Sequence, residues 1–453
     1  MDDFTGAYGD RRRAGAMFRL YGSIVERSCV VIRQVGVDRG GELSAHRVLS
    51  SPRVNPDETL GCLARRTADA AAGRRVVVAQ DTTEISFGGR QSRGLGPAGQ
   101  RNGGRAAPGF FVHAAVAVDA AEEAVLGIVH AEIWTRDAAP LVARRDRTLA
   151  EKESQRWLTA AQTAGDRLRD ASECIIVGDR ESDIYALFSR RPARVHLLVR
   201  AAQNRALEDG SLLFDAPRDW PCLGENVVHV PPRGPGTTGR QARVVVRAGP
   251  VTLRHPRNGR RGGDPGCLQV TLVEAAEADP PPGEPPLQWR LLTTLAAHSV
   301  AEAAEIVRLY RLRWRIKQTF RMLKSDGLRL DEAQTAEPHR LFNLAALALG
   351  AAARVIQLVD ARDGSSRPAT DVATPAEIAA ATALNAKLQG KTERQRNPHP
   401  QGSLAWTSWI IARLGGWNCY YKPPGPKTMR EGWTRFAAIA DGYTLAAQAT
   451  HDV

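Results

Sequence analysis

Two stretches decide the reading of this chain: Val76-Val77-Val78-Ala79-Gln80-Asp81-Thr82-Thr83 and Cys174-Ile175-Ile176-Val177-Gly178-Asp179. Each is a short apolar run of mostly β-branched residues, the pattern of a strand buried on both faces, and each delivers an aspartate at its end. After the second run, Ile184 to Phe188 reads as the start of a helix capped by Ser182 or Asp183. Strands mixed with helical patterns define an α/β core, and the sites of such sheets gather at strand ends, so Asp81 and Asp179 are expected to converge. A carboxylate pair binds divalent cations. Two such ions, roughly 3.5–4 Å apart, activate water and stabilise a leaving oxygen in phosphodiester cleavage. Strand-end aspartates also begin turns and cap helices, and the two residues alone leave that alternative open.

Outward from these strands, residues 1 to about 70 alternate short helical patterns with glycine-containing turns. Gly88 to Gly104, with seven glycines, reads as a loop and lacks the spacing and Lys-Ser/Thr of a phosphate-cradling turn. Phe110 to Val118 and Val125 to Val129 read as an antiparallel strand pair, residues 143 to 170 as an amphipathic helix, and His196 to Val199 as a further strand. From 203 to 290 short strands alternate with Pro/Gly-rich turns, the texture of a β-rich insertion, and Trp289 to Thr294 returns to strand. Helices are expected over Val300 to Lys324 and Pro338 to Val359. Asp363 to Thr374 has linker composition, and residues 375 to 453 read as a smaller helical unit broken at Lys422-Pro423-Pro424-Gly425-Pro426.

Length and composition set the outer limits. The 453 residues, 43% hydrophobic and 25% charged, exclude wholesale disorder and a small stapled scaffold. Lys and Arg number 62 against 49 acids, a net charge of +13 that favours a polyanionic partner. Only seven of the basic residues are Lys, and Arg is the better bidentate ligand for phosphate and guanine. The six cysteines are scattered, without Cys-x-x-Cys spacing, and read as reduced thiols. The sequence around Met1 has neither the basic nor the apolar region of a secretory signal. Leu341 to Val359 carries Asn343, Arg354 and Gln357 and reads as a buried helix, not a membrane span. A cytoplasmic location with no membrane partner is expected.

Between Arg308 and Lys324 there are seven basic residues and no acid. In a continuous helix Tyr310, Arg313, Lys317 and Lys324 share nearly one face, a cationic stripe suited to a nucleic-acid backbone. Arg11 to Arg13 form a second basic run, suited to phosphates or to an exposed helix face. Trp289 reads first as core, with stacking on an unpaired base as the alternative.

Taken together, Gln80-Asp81-Thr82-Thr83-Glu84, Gly178-Asp179-Arg180-Glu181-Ser182-Asp183-Ile184-Tyr185 and Tyr310-x2-Arg313-Trp314-Arg315-Ile316 with Lys324 resemble the insertion-sequence-four family of bacterial cut-and-paste DDE transposases. Near the start, Phe4-x-Gly6-Ala7 with Gly9-Asp10-Arg11-Arg12, Gly40-Gly41-Glu42 and His46-Arg47 extend the resemblance. Near the other end, Leu414-Gly415-Gly416-Trp417, Pro423-Pro424-Gly425-Pro426 and Gly432-Trp433 do the same, so that it covers nearly the whole chain. It implies an α/β, ribonuclease-H-like catalytic core over 71–362 with a β-strand insertion at about 203–290. It also implies flanking helical domains: an N-terminal DNA-binding domain over 1–70 and a C-terminal dimerisation domain over 375–453. Asp81 and Asp179 then match metal-binding, catalytic carboxylates. Trp289 matches an aromatic that stacks on a flipped base, which reverses its reading as core. Tyr310, Arg313, Arg315, Lys324, Arg11 and Arg12 are the implied DNA contacts. The implied cofactor is Mg²⁺, with Mn²⁺ as substitute. The implied partners are double-stranded DNA, as transposon ends and target, and a second copy of the chain on that DNA, in a nucleoid-associated bacterial setting.

One position departs from the family pattern. The signature helix reads Tyr-x2-Arg-x3-Glu-x6-Lys, and its glutamate is the third metal ligand, but here that position is Lys317. An ammonium has no lone pair to offer a cation and adds positive charge where divalent ions are to be held. Glu305 and Asp326 lie 12 and 9 residues away, about 120° and 180° round a continuous helix, so neither substitutes. Retained fold and DNA binding with weak or absent strand cleavage is the expectation. A DNA-binding regulator or inactive remnant of the same fold is its alternative.

Overall fold

The computed structural model describes residues 4–36, 38–88, 94–102, 105–136, 154–230, 239–256, 263–284, 286–324, 327–335 and 337–451. The chain opens with helices α1 (Arg11–Arg27), α2 (Ile32–Val35), α3 (Arg39–Leu49) and α4 (Pro56–Ala71). Strands β1 (Arg75–Ser86), β2 (Pro97–Asn102), β3 (Arg105–Asp119) and β4 (Val125–Trp134) follow. Next come α5 (Gln155–Arg167), β5 (Glu173–Gly178), α6 (Tyr185–Ser189) and β6 (Val195–Arg200), then β7 (Gly224–Val230), β8 (Arg240–Arg254), β9 (Cys267–Glu277) and β10 (Gln288–Thr293). The chain closes with α7 (Val300–Arg311), α8 (Trp314–Leu323), α9 (Pro338–Ala361), α10 (Pro375–Leu388), α11 (Leu404–Leu414) and α12 (Pro426–His451). The core is a mixed α/β sheet flanked by helical regions, consistent with a ribonuclease-H-like fold.

Two compact units share β1. The first comprises residues 1–73, 82–141 and 315–453, and the second comprises residues 74–81 and 142–314.

In the first unit, β3 and β4 pair antiparallel as their alternating apolar residues predict, with Ala114 opposite Ala131. β4 packs on α4 and α9, and α9 in turn contacts α1, α11 and α12. α9 is long and apolar enough to cross a membrane, but 94% of its most apolar window is buried inside the molecule. Two of its polar residues donate to backbone elsewhere in the unit: Asn343 to the carbonyls of Leu49 and Val54, and Gln357 to that of Leu126. Two expectations change here. Within the glycine-rich stretch, Pro97–Asn102 is strand β2, paired antiparallel with β3, because a neighbouring edge supplies backbone partners that composition does not reveal; residues 89–93 and 103–104 lie outside the described residues. The linker-like segment after α9 is pinned. Arg367 is 2% exposed, pairs with Asp371 and donates to Val125 O at 2.7 Å, while Ser365 and Ser366 bond to Glu122.

In the second unit, the first half of β1 and β5 run parallel, β5 and β6 likewise, and β10, β9, β8 and β7 continue from β6 as an antiparallel series. Strands are expected over 203–290, and β7, β8 and β9 lie there, but β8 and β9 are long strands that continue the sheet from β10. Val76 to Ala79 are wholly buried, as a strand covered on both faces requires. Of the helix expected over 143–170, only Gln155–Arg167 is α5; residues 143–153 lie outside the described residues.

The helix expected over Val300 to Lys324 is two helices. α7 ends at Arg311, and the backbone tightens through i→i−3 bonds from Leu312 to Leu309 and from Arg313 to Tyr310 before α8 begins at Trp314. No glycine or proline marks the break. Burial of Arg313 against Asp81 is a tertiary interaction that overrides helical propensity there.

Candidate active site

In the second unit, the β1–β5 ladder pairs Arg75 with Glu173 and ends with Ala79 opposite Val177. Two residues beyond that last pair stand Asp81 and Asp179: Asp179 follows the end of β5, whereas β1, expected to end near Asp81, runs on to Ser86 and carries Asp81 within the strand. The parallel pairing therefore sets both aspartates just past the β1–β5 ladder. Gln80, one residue before Asp81, is turned toward the α5 backbone at Trp157 and Ala161. Alternation along the strand then presents Asp81 on the opposite face.

Asp81 is 4% exposed, and its Oδ2 lies 3.4 Å from Arg313 Nη1. Asp179 is half-buried; its Oδ1 accepts from Glu181 N at 3.0 Å, and its carbonyl accepts from Ser182 Oγ at 2.6 Å. The turn depends on Gly178, where a Cβ would stand 2.1 Å from Ser182 Oγ. Neither Ser182 nor Asp183 caps α6, in contrast to the expectation from sequence. Ser182 folds back on Asp179, and Asp183 is drawn into the interior. There the Asp183 carboxylate accepts from Arg205 Nη2 at 2.7 Å and from the backbone N–H groups of Ala202 and Gln203, which occupies its oxygens fully.

The aromatic and basic residues of this unit gather around Tyr310 and Arg313, and Arg313 in turn meets Asp81. Trp289, half-buried on β10, meets Tyr310 edge to face at 6.0 Å between centroids. The Arg313 guanidinium lies 5.6 Å from the ring centroids of both Tyr310 and Trp314. Arg200, at the end of β6, lies against the Tyr310 hydroxyl, and its pKa is lowered by burial and by the like charges of Arg180 and Arg313. Three guanidiniums, Arg180, Arg200 and Arg313, thus share one neighbourhood with two aromatic rings, a setting for phosphate and base. Sequence reasoning passes over Arg180 and Arg200. The signal available for both is position: each sits at the carboxyl end of a parallel strand, beside the aspartates.

The remaining candidates belong to the first unit. Lys317 is half-buried on α8. Lys324, just past α8, has its pKa lowered by burial and by the Lys317 charge, with Glu84 and Asp331 opposing. Lys317, Lys324, Glu84 and Asp331 therefore form one electrostatic group. Arg315 pairs with Asp360 at 2.6 Å, and Asp360 also accepts from Val125 N, an anchor of α8 to α9. Burial raises the Asp360 pKa despite Arg315. Arg11 and Arg12 are exposed in the first turn of α1, where positive charge opposes the helix dipole and gains nothing within the fold. The single-face stripe of Tyr310, Arg313, Lys317 and Lys324 does not exist as one helix face, because α7 and α8 are separate. The angle of Glu305 round a continuous helix therefore has no meaning here, but its carboxylate is taken by Arg308 and Arg75 at 2.7 and 2.6 Å. Asp326 lies outside the described residues.

Residues 73–354 match the Transposase DDE domain family, and the chain belongs to the DDE transposases. DNA cleavage and transfer, with divalent-metal catalysis, is the chemistry associated with that family. Whether such ions fit is decided by the donor set. Among the described residues no three His, Cys, Asp or Glu side chains converge, and Asp183 is occupied by Arg205, so the donors present are Asp81 and Asp179. Two carboxylates, one of them beside a guanidinium, do not fit a pair of divalent ions.

Proposed function

We propose that this chain is a cut-and-paste transposase of the insertion-sequence-four type, related to the Transposon Five transposase, that binds transposon-end inverted repeats and is impaired in strand cleavage. The observation that carries the reading is the donor set. Asp81 and Asp179 follow the paired stretch of β1 and β5, and the position where the family places its third acid is Lys317. Water activation and leaving-group stabilisation both need cations held between carboxylates, and a lysine adds repulsion where a glutamate adds a ligand.

In this reading residues 71–362 form the ribonuclease-H-like catalytic core, 1–70 contact DNA through groups such as Arg11 and Arg12, and 375–453 carry dimer contacts on DNA. Trp289 accepts a base turned out of the duplex, with Tyr310, Arg313 and Lys324 on the adjoining phosphates, while Arg315, a DNA contact by resemblance, is taken by Asp360. The protein acts in the cytoplasm on nucleoid DNA. Arg313, buried against Asp81, places a fixed positive charge beside that carboxylate.

The same ion pair favours a second reading, a DNA-binding regulator without catalysis that occupies transposon ends or poisons mixed dimers. Calorimetric titration with Mg²⁺ or Mn²⁺ tests the shared premise. The expected result is no two-ion occupancy, and ordinary filling of two sites overturns the claim of an impaired centre.

A further inference from the structure

A concave groove of about 340 Å³ in the first unit is lined by Arg27, Ser28, Cys29 and Gln34 from the α1–α2 region, by Arg329, and by Arg430, Glu431, Thr434 and Arg435 of α12. Four of its lining side chains are guanidiniums and one is a carboxylate. None of these residues belongs to the Asp81 site or to the basic run at Arg11.

The groove is built by the fold. Val30 N donates to Leu328 O at 3.2 Å, which ties the turn after α1 to the segment carrying Arg329. Arg430 Nη1 donates to Gly327 O at 2.9 Å and Arg435 Nη1 to Leu414 O at 2.6 Å. These acceptors are neutral carbonyls, so they fix the two guanidiniums without cancelling their charge. Arg329 pairs with Glu332 at the surface, and Glu431 is shared with Lys427 at 4.0 Å. Ser28 and Arg329, both at the groove, have left-handed backbones (φ 47° and 63°), a conformation that non-glycine residues hold at a cost. A concave surface with two carbonyl-anchored guanidiniums, Arg430 and Arg435, and two more, Arg27 and Arg329, on its lining matches the phosphodiester, which presents two anionic oxygens to planar donors.

We propose that this groove is a second DNA contact of the protein, binding the phosphate backbone through Arg27, Arg329, Arg430 and Arg435. The inference rests on the DNA-binding reading above and adds to it a surface formed jointly by the start and the end of the chain. Backbone contact here carries no base specificity and sets position on the duplex.

Arginine footprinting with phenylglyoxal on the intact protein, read by mass spectrometry, tests the proposal. It is run with no ligand, with a duplex carrying the inverted repeat that flanks the gene, and with inorganic pyrophosphate at equal phosphate concentration. The duplex is expected to slow modification of Arg27, Arg329, Arg430 and Arg435 several-fold, and pyrophosphate to have little effect. Protection by pyrophosphate but not by the duplex makes this a small-anion site and overturns the proposal. A mobility shift of the same duplex separates the two levels. DNA bound with these arginines unprotected overturns the groove alone, whereas no DNA bound at all overturns the proposed function as well. Arg27→Gln with Arg329→Gln, which spares the carbonyl-anchored pair, is expected to lower the slope of log K against log salt by ~0.9 for each phosphate that is no longer neutralised, and an unchanged slope contradicts the assignment.

Discussion

Asp183 and Asp81 are both buried carboxylates approached by arginine, yet their surroundings assign them different work. Asp183 has two arginine nitrogens and two backbone N–H groups on its oxygens, the arrangement of a structural anchor. Asp81 meets Arg313 Nη1 at 3.4 Å, near the limit of a hydrogen bond. Arg205→Leu leaves Asp183 charged and uncompensated, and a loss of about 3–5 kcal/mol is expected in urea unfolding. Asp179→Ala removes one bond to Glu181 N and is expected to cost only about 1 kcal/mol. Equal losses in the two variants would contradict this division. Gly178→Ala pushes Ser182 off the Asp179 carbonyl and is expected to destabilise by about 1–3 kcal/mol, more than the Ser182→Ala change that removes only the hydroxyl.

At the scale of elements, the parts legible in the sequence are those whose cause is local. The runs Val76–Ala79 and Cys174–Val177, the antiparallel β3–β4 pair and the strands after 203 follow from periodicity and turn residues, whereas the continuation of β1 past Asp81 to Ser86 does not. The break between α7 and α8, strand β2, the pinned segment at Arg367 and the turning of Asp183 to Arg205 have distant causes that no window of sequence contains. The cationic stripe is legible as composition and wrong as geometry, because periodicity assumes an unbroken helix. One such distant tie has a pH signature. Asp264, between β8 and β9, bonds Ser189 of α6 and pairs with Arg190 at 2.7 Å, and the Arg190 hydrogen bond holds its pKa below the usual carboxylate value of 3.8. A lowered pKa means that the folded state releases the proton more readily. The stabilisation is therefore complete above the unfolded value and is lost as pH falls through the folded one. Asp264→Asn is expected to be less stable at neutral pH by at most about 1 kcal/mol, since Arg190 is 38% exposed. The difference is expected to vanish in acid, and a pH-independent gap in thermal unfolding would contradict the cause given.

For the whole molecule, the excess of 13 positive charges has several outlets: the guanidiniums near Tyr310, Arg11 and Arg12 at the start of α1, and the groove at Arg27 and Arg430. Binding to duplex DNA is expected to weaken steeply with salt, log K falling with log salt at ~0.9 per neutralised phosphate and so with a slope of several units. A salt-insensitive affinity would remove the electrostatic account. That a transposase fold is intact and its cleavage centre disabled at one position is tested most directly by cutting of a labelled duplex carrying the flanking inverted repeat. The protein and its Lys317→Glu variant are compared with Mg²⁺. Cleavage by the Glu variant, with the Lys317 protein bound to the same DNA but inactive, is the predicted result. Robust cleavage by the Lys317 protein would contradict it.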